Sequence, residues 1–141
     1  KSMSIKIEYR TGNQLDVDQV IDLYFASTLG ERRPADNRAS MTQMIEEANL
    51  VVTAWEGDLL VGIARSLTDW CYVAYLADLA VRESHQHRGI GKELIRRTQS
   101  ALGKEATLIL IAAPAAEGYY PKIGMKPHPS AWILRPGDKI P

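Results

Sequence analysis

The spacing of apolar residues changes along the first third of the chain. In the segment SIKIEYR, apolar and polar residues alternate, which is typical of a strand with one buried face. The apolar residues within 17–28 recur at intervals of three and four, which predicts an amphipathic helix ending near Gly30. The same spacing predicts a second, shorter helix over 41–48.

Strands dominate the middle of the chain. The apolar segments LVVTAW and LLVGIAR flank the turn sequence EGD, which predicts a β-hairpin. The segment CYVAYLADLAV, residues 71–81, predicts a long fourth strand, and ATLILIAA further on predicts a strand buried on both faces.

Helical spacing returns between these last two strands and again near the end. The apolar stripe over 90–102 predicts a helix, and Gly103 is suited to its C-terminal end. A short helical segment is predicted around 115–123, stopped by Gly124, and a last strand at AWILR. The order β-α-α-β-β-β-α-β-α-β predicts one α/β domain with a mixed sheet.

Composition narrows the classes of protein. The 141 residues include 17 Lys plus Arg and 17 Asp plus Glu, so the net charge is zero. This balance weighs against a nucleic-acid-binding protein, which needs a surplus of cations. No apolar run reaches the roughly 18 residues of a membrane span, and the first residues do not resemble a signal peptide.

Cysteine content and the first residues add two expectations. Cys71 is the only cysteine, so no internal disulfide forms, and we expect a cytoplasmic protein. We interpret Lys1 and Ser2, which precede Met3, as residues added in cloning. The expected single domain therefore spans residues 3–141.

The segment RESHQHRGIGKELIRRTQ, residues 82–99, carries the candidate chemistry. His85 and His87 are too few for a zinc site, which needs three or four ligands, and only Glu83 lies near them in sequence. Nucleic-acid binding would also need aromatic residues to stack on bases, and this segment has none.

A phosphate site fits the position of this segment better. A buried strand is predicted to end at Val81, and a helix is predicted to start between Gly89 and Gly91. The first backbone N–H groups of a helix have no internal partners, and glycines there let an anion approach. Arg88 and Lys92 add positive charge. A glycine-rich turn that only reverses the chain is an equally good interpretation of these residues alone.

Two motifs in this chain resemble the GCN5-related N-acetyltransferases (GNAT). The run from Gln86 to Gly91, QHRGIG, matches the family signature Q/R-x-x-G-x-G/A. Downstream, AAPAAEGYYPKIGMKPH resembles the family segment A-x-x-[FY]-Y-x-x-x-G-F, with Met125 in place of the phenylalanine. The resemblance extends from Ile5 to about Leu134. It implies the GNAT fold, with a central sheet splayed between the fourth and fifth strands.

The resemblance also implies acetyl-CoA as cosubstrate and the residues that hold it. The main chain of Leu79, Ala80 and Val81 is expected to pair with the pantetheine arm. The expected pyrophosphate cradle consists of Gln86, His87, Arg88, Gly89, Ile90, Gly91 and Lys92. Ala113 stands where many relatives carry an asparagine that binds the arm, so this chain lacks that side chain.

Catalytic roles follow from the same resemblance. Tyr120 occupies the position of the family's catalytic tyrosine and is expected to protonate the leaving thiolate. Pro121, which follows it, disfavours helical backbone at 120. Some relatives use a glutamate of the fourth strand as general base, and Tyr75 aligns with it here. Asp78 is the candidate base if a bulge turns it inward; His128 or a chain of water molecules are the alternatives.

The acceptor site implied by the fold includes residues 29–38 together with Trp70, Tyr72 and Trp132. For Trp70 and Trp132, a place in the core or in a dimer interface is the slightly favoured interpretation. The expected activity is N-acetylation of a primary amine, with a small amine favoured over a protein amino group, by direct attack in a ternary complex. The alternatives are an acyl-CoA-binding regulatory module that has lost turnover and a structural domain that binds neither substrate. The resemblance is also compatible with a homodimer.

Overall fold

A computed structural model describes residues 6–141, and Lys1, Ser2 and Ile5 lie outside them. The described chain forms two compact units, one ending at Ile111 and the other spanning Ala112–Pro141. The first unit contains β1 (Glu8–Thr11), α1 (Val17–Ala26), α2 (Arg38–Glu47), β2 (Leu50–Glu56), β3 (Leu59–Thr68), β4 (Val73–Val81), α3 (Ile90–Ser100) and β5 (Thr107–Ile109). The second contains α4 (Tyr119–Lys122). That residues 3–141 form one domain stays a prediction.

Helix α1 begins and ends close to the predicted positions. The Asp16 side chain accepts a hydrogen bond from the backbone N–H of Asp18, which caps its first turn. The helix buries Val20, Leu23 and Tyr24 completely. It ends before Gly30, because Thr28 adopts the left-handed conformation (φ 72°) and a 3-10 turn over Leu29–Arg32 follows. That turn leads into the loop between α1 and α2.

The five strands lie in the order β1-β2-β3-β4-β5. Neighbours from β1 to β4 are antiparallel, and the hairpin turn between β2 and β3 has Gly57 at a φ of 58°. β4 and β5 are parallel, and their pairing is limited to Val73–Tyr75 against Thr107–Ile109. Within the described residues, the rest of β4 has β3 as its only partner strand. The predicted mixed sheet that splays between the fourth and fifth strands is therefore confirmed.

A β-bulge in the middle of β4 shifts the alternation of its side chains between the two faces of the sheet. Ser66 pairs with Leu76, whereas Arg65, the residue before Ser66 on β3, pairs with Asp78. Ala77 is therefore an additional residue of β4 with no counterpart on β3. Because paired residues share a face, Asp78 lies on the same face as Arg65 and as Tyr75, which pairs with Leu67. The sequence analysis named such a bulge as the condition for an inward-facing Asp78. The bulge is present, and it turns the Asp78 side chain towards the core.

The C-terminal part of the sheet differs from prediction. β5 covers only part of the predicted strand ATLILIAA, and it is not buried on both faces, since Ile109 is 47% exposed. Within residues 6–141, β5 is the last strand of the sheet and pairs with β4. The strand predicted at 131–135 is not formed, and Trp132 is 92% exposed.

The proline effect predicted at residue 120 is also wrong. Tyr120 is helical, and Pro121 is the third residue of the single-turn helix α4. In a first turn the missing proline N–H has no intrahelical partner to lose.

Candidate functional site

The open edge of β4 is the first component of the candidate site. Arg82 donates its backbone N–H to the Val61 carbonyl of β3 at 2.9 Å. Backbone groups alternate in direction along a strand, so those of Ala80 also point towards β3. Those of Leu79 and Val81 point to the side where β4 has no partner strand among the described residues. At this edge Leu79 therefore offers its N–H and its carbonyl, and Val81 offers its N–H, because the Val81 carbonyl accepts a hydrogen bond from Gln86 Nε2; Ala80 offers neither group.

The start of α3 is the second component. Glu93 makes the first intrahelical bond, from its N–H to the Gly89 carbonyl at 3.0 Å. Within residues 6–141, the N–H groups of Ile90, Gly91 and Lys92 have no hydrogen-bond partner. Gly89 has a φ of 81°, and a Cβ there would meet nothing within 4 Å. The cradle therefore has free donors and open space, as a bound phosphate would require.

Side chains of the preceding loop fix this cradle. The Gln86 side chain donates from Nε2 to the Val81 carbonyl at 2.9 Å, which ties the loop to the end of β4. His87 has a left-handed φ of 66° and is exposed, as are Arg88 and Lys92. The predicted cradle residues are thus contiguous in space, with two exposed cations beside the free N–H groups.

The two histidines of the segment have different surroundings. His85 is buried, and its Nε2 lies 2.8 Å from the Glu56 Oε1, while its Nδ1 lies 2.7 Å from the Ser84 Oγ. His87 is exposed. Within residues 6–141, no three His, Cys, Asp or Glu side chains form a group suited to a metal ion.

Asp78 lies at the centre of a buried polar cluster on the other face of the sheet from α3. Its Oδ2 accepts hydrogen bonds from the Tyr24 hydroxyl and from Arg65 Nε, each at 2.6 Å. Its Oδ1 accepts one from Arg33 Nε at 2.5 Å. Arg33 also donates from Nη2 to the carbonyl of Ala77, the bulged residue, at 2.9 Å. We call Tyr24, Arg33, Arg65 and Asp78 the Asp78 cluster.

The groups around Asp78 keep its carboxylate ionised. Burial alone would raise the pKa of Asp78, but the charges of Arg65 and Arg33 and the hydrogen bonds outweigh it and lower the pKa. Burial, followed by the Asp78 charge, raises the pKa of Tyr24 well above its ordinary value, so the phenol stays neutral. The Asp78 side chain is fully shielded from solvent. The carboxylate accordingly has three donors and little tendency to take up a further proton.

Sequence reasoning did not single out Tyr24 or Arg65, and it included Arg33 only as part of the predicted acceptor segment 29–38. Tyr24 is part of the apolar stripe of α1, and Arg33 lies in a loop of mixed charge. Arg65 carried a usable signal, since it lies in an otherwise apolar strand, as does Asp78 in the next strand. A charged residue in a buried strand needs an opposite charge, and these two strands follow one another along the chain.

The second unit holds Tyr120 and Ala113. Tyr120 is partly buried, and its ring packs edge-on against Tyr119 with centroids 5.3 Å apart. Burial, followed by the nearby Tyr119, raises the pKa of the Tyr120 phenol above its ordinary value. Ala113 precedes a 3-10 turn, Pro114–Ala116, and accepts a hydrogen bond from the Ala116 N–H at 2.8 Å. His128 is exposed, and its Nδ1 accepts from the Ser130 N–H.

The predicted acceptor residues in the first unit lie largely at the surface. Trp70 is 43% exposed and Tyr72 is 74% exposed, so neither belongs to the core. Within 29–38, Ala35 is buried and Arg33 joins the Asp78 cluster, while most of the other side chains are exposed. Within residues 6–141, no helix has the length and apolar character to cross a membrane.

Comparison with known proteins agrees with this geometry. The chain matches the family model of the acetyltransferase (GNAT) domain over residues 27–132. A search of curated proteins finds no match. Among solved structures, a GNAT-family acetyltransferase from Streptococcus pneumoniae is similar, with 24% identity, a TM-score of 0.73 and coverage of 92% of this chain and 99% of that one.

Two further structures share the fold. An acetyltransferase from Trypanosoma brucei has 21% identity and a TM-score of 0.68, over 92% of this chain and 99% of that one. The aminoglycoside N-acetyltransferase AAC(6')-Iy, solved in complex with CoA, has 17% identity and a TM-score of 0.72, over 94% of this chain and 96% of that one. With a family model covering most of its length, the chain belongs to the GNAT acetyltransferase family.

Proposed function

We propose that this protein is an N-acetyltransferase that transfers the acetyl group of acetyl-CoA to a primary amine, and that small amines are favoured. The observation that carries the proposal is the set of unpaired N–H groups of Ile90, Gly91 and Lys92 beside the open space at Gly89. Helix N-termini attract anions through these donors and through the helix dipole, so a pyrophosphate is a suitable ligand.

The open edge of β4 supports the same ligand. The pantetheine arm contains amide groups, and these would pair with the backbone of Leu79 and Val81 as an added strand does. Exposed Arg88 and Lys92 would add positive charge near the phosphates. The CoA complex of AAC(6')-Iy, which has this fold, is further support for an acyl-CoA cosubstrate.

The reaction proposed is a direct transfer. The nitrogen of a neutral amine forms a bond to the thioester carbonyl carbon, and the carbon–sulfur bond breaks. The amine nitrogen loses one proton, and the thiolate gains one to become a thiol. By the family resemblance, Tyr120 donates that proton; its raised pKa keeps the phenol protonated at neutral pH.

Asp78 has a different role in this proposal. Its carboxylate is engaged by three donors and shielded from solvent, so it is a poor acceptor for the proton of the amine. We propose that water takes that proton and that Asp78 is a positioning residue. Through Arg33 it holds the loop after α1 against the bulge of β4.

Calorimetric titration with acetyl-CoA tests the proposal. Gly89→Glu places a negative side chain at the cradle, whereas Gly57→Glu does the same in the hairpin turn. Both glycines have a positive φ and open space, so the backbone cost of the two substitutions is comparable. We expect acetyl-CoA to bind the wild type and Gly57→Glu alike, and to lose about 100-fold or more of its affinity in Gly89→Glu.

A transfer assay then separates an enzyme from a binding module. Release of free thiol from acetyl-CoA in the presence of an amine supports transfer, and Tyr120→Phe should lower that rate by about 100-fold or more. Binding of acetyl-CoA without transfer to any amine indicates the regulatory module. Absence of binding to the wild type contradicts both.

A further inference from the structure

The Asp78 cluster has an unbalanced charge. Two guanidinium groups, those of Arg33 and Arg65, share the single carboxylate of Asp78, and the Tyr24 phenol is neutral. Within residues 6–141, no other carboxylate lies within salt-bridge distance of either arginine. The cluster therefore carries one net positive charge, in surroundings where charges are weakly screened.

The surplus charge reaches solvent at Arg33. The Arg65 side chain is 9% exposed, and its Nη1 donates to the Met44 carbonyl at 3.1 Å, so it lies in the interior. The Arg33 side chain is 26% exposed. Arg33 donates from Nε to Asp78, from Nη2 to Ala77 and from Nη1 to Arg32. A guanidinium has five N–H bonds, so two on the terminal nitrogens are left for a ligand.

The cluster also fixes where this charge lies along β4. Arg33 binds the carbonyl of Ala77, which follows the point where β5 leaves β4 and precedes Leu79 by two residues. Two residues of strand span about 7 Å. The Arg33 guanidinium is thus held at the bulge of β4, within the length of a small molecule along the strand from the Leu79 backbone.

We propose that Arg33 is a specificity residue that binds a carboxylate of the acceptor, so that the substrate is a small molecule with both a primary amine and a carboxylate. This inference rests on the proposed function. A planar guanidinium with free N–H bonds pairs with a carboxylate in a fixed geometry. Asp78 and the Ala77 carbonyl keep the Arg33 side chain in place before the ligand arrives, which lowers the entropic cost of binding.

Matched acceptors test this inference. The transfer assay compares glycine, β-alanine and phenylalanine with glycinamide, β-alaninamide and phenylalaninamide. Each amide retains the amine and has no carboxylate. The amine of each amide is less basic than the amine of the matching acid, so a larger fraction of it is neutral and able to react. A preference for the acid would therefore have to overcome this intrinsic advantage of the amide. We expect at least one acid to be preferred over its amide by about tenfold or more in kcat/KM.

Arg33→Gln and Arg32→Gln are the matched variants. Arg32 is the exposed neighbour in the same turn, and its side chain has no partner within residues 6–141. Arg33→Gln should abolish the preference for the acid, measured as the ratio of kcat/KM for acid and amide in the same variant, so that any loss of folded protein affects both acceptors equally. Arg32→Gln should retain the wild-type preference. Equal preference for the acid in Arg33→Gln and wild type overturns the inference.

Other outcomes separate this inference from the proposed function. If acetyl-CoA binds and only amides, or no tested amine, accept the acetyl group, the inference is wrong and the cofactor site stands. If acetyl-CoA does not bind, the proposed function fails and the inference fails with it.

A binding measurement covers the case in which Arg33→Gln does not fold. Wild type saturated with CoA is titrated with N-acetyl-β-alanine and with N-acetyl-β-alaninamide. The acid should bind about tenfold or more tightly than the amide. Equal affinity of the two overturns the inference.

Discussion

The start of α3 and the Asp78 cluster are both polar sites next to β4, but they are formed by different groups. The first consists of backbone N–H groups left unpaired by the geometry of a helix end, and it is exposed. The second consists of four side chains from distant parts of the chain; three are hydrogen-bonded to the fourth, Asp78, and all but the partly exposed Arg33 are buried. One site is kept free for a ligand, whereas the other is almost fully satisfied by the protein itself.

This difference separates binding from stability. Changes at the start of α3 remove few contacts of the folded protein, so they should alter ligand affinity more than folding. Changes in the Asp78 cluster leave buried charges without partners, so they should alter folding first. Four predictions test the distinction.

The largest effect is expected for Asp78→Asn. The substitution leaves the Arg33 and Arg65 guanidinium groups without a counter-charge, and loss of one partner of a buried ion pair costs about 3–5 kcal/mol. Denaturant unfolding measures the loss. Asp58→Asn, at an exposed turn, is the control and should change stability by less than about 0.5 kcal/mol. Equal stability of the two variants would contradict the assigned role.

Acid should remove part of the same stabilisation. The pKa of Asp78 is lowered in the folded state, so its contribution is complete above the unfolded pKa of about 3.9 and is lost as pH falls through the folded value. The stability difference between wild type and Asp78→Asn should therefore shrink at low pH. Unfolding curves at a series of pH values below about 5 measure it. A stability difference that grows as the pH falls would contradict this prediction.

A smaller loss is expected for Tyr24→Phe. The Tyr24 hydroxyl donates to Asp78 at 2.6 Å, and a buried hydrogen bond to a charged group contributes about 1.5–3 kcal/mol. The two arginines remain, so the carboxylate keeps its counter-charges. Tyr72→Phe removes a hydroxyl from a side chain that is 74% exposed and should be neutral within error. The measurement is thermal or denaturant unfolding of both variants.

The smallest effect is expected for Gln86→Ala, and on affinity rather than stability. Its side chain ties the cradle loop to the Val81 carbonyl through one neutral hydrogen bond. Loss of that bond, of about 0.5–1.5 kcal/mol, should weaken acetyl-CoA binding by about two- to tenfold. Gln99→Ala, on the exposed face of α3, should bind acetyl-CoA as the wild type does. A calorimetric titration compares the two.

The comparison also explains which parts could be predicted. The cradle is continuous in sequence, and its glycines, strand end and helix start lie within a few residues, so local patterns indicate it. The cluster joins residues 24, 33, 65 and 78, and no local pattern links them. The lone charges Arg65 and Asp78 in neighbouring apolar strands were the single local sign of it. Arg33 gave none, since it lies in a loop rich in charged residues.

Hydrophobic periodicity, together with the glycines and the turn sequence EGD, determined the order of the helices and of the first five strands, the hairpin at Gly57 and the start of α3 near Gly89. These features depend on interactions between residues close in sequence. The tertiary structure decided the rest. The length of β5 depends on how far β4 offers it a partner, and the strand expected at 131–135 is absent because apolar alternation does not provide a pairing edge. The inward turn of Asp78 requires the bulge at Ala77 and two arginines from other elements, and burial of a charge is stable only when such partners are brought together in space.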